Sequence, residues 1–86
     1  MAMKDEDLKR YIDIIIKDIT KNYYCAEKKQ ASYIDAFNWC EQEIGQDGWN
    51  IAHNEARWYG FSHGDGTGRF YFKNQEDYTR FVLTWL

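Results

Sequence analysis

The chain has 86 residues, 44% of them hydrophobic and 29% charged, with no proline; this composition builds one small core and excludes a disordered tail. Fourteen acidic against eleven basic residues leave a formal charge of -3, the wrong sign for general attraction to phosphate backbones or anionic membranes. One domain, 1–86, is expected.

Leu8, Ile12, Ile15, Ile19 and Tyr23 recur at intervals of three and four, which predicts a helix over Asp5 to Asn22 with Lys9, Asp13, Lys17 and Lys21 facing water. Asp5, Glu6 and Asp7 suit its positive end, Lys17 and Lys21 its negative one. Ile14 and Ile16 widen the stripe, so cover on more than one side is expected. The run Ile14 to Ile16 is too short for a signal peptide or a membrane span, and a cytoplasmic location is the expectation.

Tyr23-Tyr24-Cys25 reads either as a short extended piece or as a last helical turn, and Glu27 to Gln30 as solvated linker. Ser32 with Asp35 makes a capping-box-like start for a second helix carrying Tyr33, Ala36, Phe37, Cys40 and Ile44 at helical spacing, closed by Gly45. From Gln46 the period becomes two. Trp49, Ile51 and His53 alternate with smaller residues, as do Tyr59, Phe61 and His63, and Phe70 and Phe72 bracket Tyr71. Three short antiparallel strands are predicted, the last two joined through Gly64 to Gly68. Asn74 caps a final helix with Asp77 at its third position and Tyr78, Phe81, Val82 and Trp85 on one side. The expected fold is α+β: two N-terminal helices, a three-stranded antiparallel meander and a C-terminal helix, the helices covering one sheet face.

Hairpin register decides which rings share a face. A four-residue loop pairs Phe61 with Phe70 and Tyr59 with Phe72, sending Trp58 and Tyr71 to the other side. A five-residue loop groups Trp58 with Phe70 and Phe72, and sets Tyr59, Phe61 and Tyr71 opposite.

Sixteen aromatic residues, four Trp, seven Tyr and five Phe, exceed what so small a core absorbs, and such rings are favoured at binding surfaces. The candidate partner-binding patch is the outward sheet face: Trp58 and Tyr71 with the cations Arg57, Arg69 and Lys73. The competing reading is that a helix covers that face too and the rings are core. Gly64 to Gly68 is a hairpin turn, since neither a Lys-Ser pair nor a helix follows it. His53, Glu55, His63 and Asp65 match no metal-ligand spacing, so neither a metal nor another cofactor is expected. Cys25 and Cys40 are read as reduced thiols, Cys40 on the apolar side of a helix. No nucleophile, paired acid or metal cluster marks an active site, so an enzyme is not expected.

Gly66 to Asp77, followed by Tyr78 and Phe81, resembles the third-strand and second-helix half of ferredoxin-like domains, RNA-recognition modules among them. Tyr71 stands where RNA-binding members carry a small residue, so the resemblance implies the fold element and not RNA binding. More broadly, Trp39-Cys40-Glu41, Gly45, Trp49, Phe70 to Asn74 and Asp77 to Trp85 resemble small phage-encoded accessory proteins of unknown function. That resemblance implies a protein partner, from host or phage, whose activity is inhibited or modulated in the host cytosol. The expected function is thus a non-enzymatic protein-binding module, with single-stranded nucleic-acid binding through exposed rings and homo-oligomeric self-association as the alternatives.

Overall fold

Asp5–Asn22 forms helix α1, the range the apolar spacing predicts, with Asp5, Glu6 and Asp7 in its first turn and Lys21 in its last. It is held to the body through Ile15 and Ile19, which are buried, while Leu8, Tyr11 and Ile14 stay exposed. The computed structural model describes residues 5–28, 33–62 and 67–85, apart from the Lys28 side chain.

The stretch after α1 resolves as extended chain, β1 (Tyr24–Lys28). Helix α2 (Tyr33–Glu43) follows and buries Ala36 and Cys40; the expected cap Ser32 lies outside the described residues. Gly45 takes a positive φ of 144°, a backbone state in which any side chain is strained, so glycine closes this helix as its sequence position suggests.

The alternation at Trp49, Ile51 and His53 does not make a strand. Asp47 intervenes: one carboxylate oxygen accepts the Trp49 backbone N–H at 3.1 Å and the other accepts the Asn50 side-chain amide at 2.6 Å, which fixes Gly48–Asn50 as a 3₁₀ turn. A short polar side chain offering the backbone a local partner outcompetes a ladder. Gly48 lies against the Tyr59 ring so closely that a Cβ there would collide with it.

Two strands form the expected hairpin, β2 (Trp58–Ser62) and β3 (Gly68–Phe72), and helix α3 (Gln75–Trp85) ends the described chain. The sheet is three-stranded and antiparallel with order β1-β3-β2. The predicted meander is therefore corrected: the third strand comes from between α1 and α2, and it pairs with β3. Trp58 stands opposite Phe72 and Tyr59 opposite Tyr71, the register of a five-residue loop. Helices cover both faces, not one. Beneath α2 and α3 lie Ala26, Ala36, Cys40, Ile44, Trp58, Phe70, Phe72 and Phe81; beneath α1 lie Ile15, Ile19, Ala56, Tyr59 and Tyr71.

Each fully buried ring in the first cluster contributes roughly 1.5–3 kcal/mol of transfer free energy. Their polar edges are answered as well. The Trp58 indole donates to the Gly45 carbonyl at 2.7 Å, and the Phe37 ring meets Trp58 edge-on with centroids 4.9 Å apart, a geometry the ring quadrupoles favour.

Candidate functional site

The five residues read from the sequence as a patch do not assemble into one. Trp58 is 0% and Tyr71 7% exposed, on opposite faces of the sheet; the exposed-ring reading of these two is corrected to core. For Tyr71 the cause is the extra layer that α1 adds over its face; Trp58 lies with Phe70 and Phe72 on the face that α2 and α3 cover.

The cations near them have other work. Arg57 grips Asp77, placing Nη2 2.8 Å from Oδ1 and Nε 3.2 Å from Oδ2, and its Nη1 donates to the Ile44 carbonyl at 2.9 Å. One guanidinium thereby joins the end of α2, the start of β2 and the first turn of α3. Asp77 is 2% exposed, a burial that a carboxylate tolerates only when paired. Arg69 stands 3.9 Å from Glu27, both half-exposed, a surface pair of small energetic weight. Lys73 is exposed, and its backbone N–H donates to the Arg57 carbonyl.

A second polar cluster ties α1 down. His53 Nε2 lies 2.7 Å from Asp18 Oδ2 and His53 Nδ1 2.6 Å from the Tyr59 hydroxyl, while the Tyr23 ring stacks on the imidazole at 6.2 Å. The hydrogen bond from His53, reinforced by one from Asn22, holds the Asp18 carboxyl below its ordinary range. An Asp-His-Tyr chain has the outline of a proton relay. Burial pushes the Tyr59 hydroxyl up to about 12, and the chain of contacts links α1, the 51–57 segment and the sheet. It also removes His53 from the metal-ligand candidates. His63 and Asp65 lie outside the described residues, and Glu55 is exposed; no group of three or more candidate ligands occurs among the described residues. Cys40 is buried and its thiol pushed up to about 12 by that burial, while Cys25 is exposed. No described helix is long and apolar enough to cross a membrane.

Large apolar groups do reach solvent, but elsewhere. Trp49 is 39% exposed yet anchored: its indole donates to the Gly60 carbonyl at 3.3 Å and its ring packs edge-on against Tyr59 and Phe61. Tyr24 lies against Tyr78 with centroids 5.7 Å apart. Ile34 on α2 and Leu83 on α3 are isolated by element, and single exposed aliphatics are ordinary. Helix α1 differs. Leu8 (45%), Tyr11 (42%) and Ile14 (59%) follow one another three residues apart, which makes them neighbours along one side of the helix.

The sequence reading placed Leu8 on the core stripe and let Ile14 widen it, and made no assignment of Tyr11. Length was the available signal: an 18-residue helix is about 27 Å long, and a five-residue strand about 17 Å, so the helix overruns the sheet it covers. Comparison with known proteins returned no matching family model, no similar curated protein and no similar solved structure.

Proposed function

We propose that the chain is a small non-enzymatic protein-binding module that contacts its partner through the exposed apolar side chains of α1. The observation that carries this reading is the exposure of Leu8, Tyr11 and Ile14, at intervals of three, on a helix that buries only Ile15 and Ile19. A helix presenting apolar anchors at such spacing suits a hydrophobic groove on another protein. Asp5, Glu6, Asp7 and Asp13 beside Lys9 and Arg10 supply the charged rim that surrounds an apolar centre in such contacts.

A ferredoxin-like body is part of this proposal and rests on the resemblance at Gly66 to Asp77 followed by Tyr78 and Phe81. Nucleic-acid binding is the weaker alternative, since the rings it would stack on, Trp58 and Tyr71, are buried. The resemblance to phage accessory proteins suggests a host protein as the partner and its modulation as the outcome.

The test compares the wild-type chain with the triple substitution Leu8→Ser, Tyr11→Ser and Ile14→Ser as baits for affinity capture. Each anchor is expected to contribute about 1–2 kcal/mol to binding, so a partner held by the wild type is lost from the variant while its melting temperature stays within a few degrees. Equal retention by a folded variant contradicts the proposal.

A further inference from the structure

The two edges of the sheet are treated differently. On β2 the outward carbonyl of Gly60 accepts the Trp49 indole N–H, and the 3₁₀ turn lies beside that strand. The outer edge of β1 pairs with no described strand.

Ladder alternation shows which β1 groups point outward. The Lys73 N–H donates to the Arg57 carbonyl at 2.9 Å, one step beyond the pair Trp58 and Phe72. Bonded and non-bonded pairs alternate in an antiparallel ladder. Tyr71 and Arg69 therefore bond to β2, whereas Phe70 and Phe72 turn their backbone groups toward Ala26 and Tyr24 of β1. Cys25 and Glu27 are left directing N–H and C=O away from the sheet, and both residues are exposed.

We propose that this edge pairs with the same edge of a second copy, antiparallel and two-fold symmetric about Ala26, joining two three-stranded sheets into one of six strands. A dyad can set outward residues opposite one another in three ways. Centred on Cys25, it places Glu27 against Tyr23, whose N–H already donates to the Ile19 carbonyl at 3.0 Å. Centred on Glu27, it sets two carboxylates directly opposite, which is destabilising. Centred on Ala26, it places Cys25 against Glu27 of the second copy, and the reverse. All four outward groups of each strand are then paired without like charges opposed. The smallest side chain of the strand lies at the dyad, where a non-bonded pair brings the two Cα atoms to about 4.5 Å. An open edge invites such pairing, and its symmetry selects this chain as its own complement.

Sedimentation equilibrium across micromolar to millimolar concentration reads the outcome directly. The wild type is expected to move toward twice the chain mass of 10.4 kDa. Glu27→Pro deletes an outward N–H that the single copy does not use in its sheet, so this variant is expected to fold, as judged by circular dichroism, and to stay at the single-chain mass. Glu27→Ala keeps the backbone donor and is expected to retain the heavier species. A wild type monomeric at millimolar concentration, or a dimeric Glu27→Pro, overturns the proposal. Should Glu27→Pro fail to fold, amide exchange of the wild type decides: the Cys25 and Glu27 amides are expected to slow about tenfold from dilute to concentrated protein, and concentration-independent exchange overturns the proposal.

Discussion

His53 Nε2 and Asp18 Oδ2 lie 2.7 Å apart across 35 residues of sequence, and this contact fastens α1 to the rest of the molecule. The carboxylate can only accept, so Nε2 carries the proton; in the neutral ring Nδ1 then accepts from the Tyr59 hydroxyl. Tyr59 is fully buried, whereas the His53 side chain is 26% exposed, and that asymmetry orders two substitutions. His53→Ala strands a buried hydroxyl and is expected to cost about 1–3 kcal/mol. Tyr59→Phe leaves the imidazole bound to Asp18 with water at hand, and is expected to cost less. Urea unfolding of the two variants checks the order; an equal or reversed order would mean that the hydroxyl does not depend on His53.

Arg57 and Asp77 form the corresponding clasp on the other sheet face. Arg57→Ala leaves a buried carboxylate without its main partner and is expected to destabilise by on the order of 3 kcal/mol. Pairing Arg57→Met with Asp77→Leu removes both charges and is expected to recover much of that loss. Chemical unfolding showing the double variant below the single one would contradict a structural role for the pair.

Burial sets the pH limits of the fold. It pushes the Tyr33 and Tyr59 hydroxyls from 10.0, and the Cys40 thiol from 9.0, up to about 12. Above their unfolded values these groups stay protonated only in the folded chain, so their contribution is complete below about pH 9 and declines as pH rises toward 12. Asp18 acts in the opposite sense, because its folded value is lowered: its contribution is present above 3.8 and is lost as pH falls below it. Unfolding free energy against pH is expected to show a plateau bounded by these two declines. A plateau running undiminished to pH 12 contradicts the burial of the two phenols.

Local signals in the sequence located the helices, because Ile15 and Ile19 at helical spacing and Gly45 after Ile44 each act over one or two turns. The hairpin was legible for the same reason, though its register hung on one loop residue. β1 was legible only in part: Tyr23-Tyr24-Cys25 was open to an extended reading, whereas Glu27 and Lys28, read as linker, are strand through pairing with β3, 40 or more residues away in sequence. The false strand at Trp49 to His53 arose from a true alternation that Asp47 overrides by capping the turn. The patch failed for a related reason. Trp58 is core because the five-residue-loop register sets it with Phe70 and Phe72 beneath α2 and α3, and Tyr71 is core because Ile15 and Ile19 of α1 pack on its face of the sheet.

Hydroxyl-radical footprinting of the chain alone and with its captured partner tests the assignment of α1 most directly. Leu8, Tyr11 and Ile14 are expected to label readily in the free protein and to lose that labelling in the complex, while Trp58 and Tyr71 stay unlabelled throughout. Undiminished labelling of Leu8, Tyr11 and Ile14 in a saturated complex would contradict it and send the search for the contact surface to another face of the molecule.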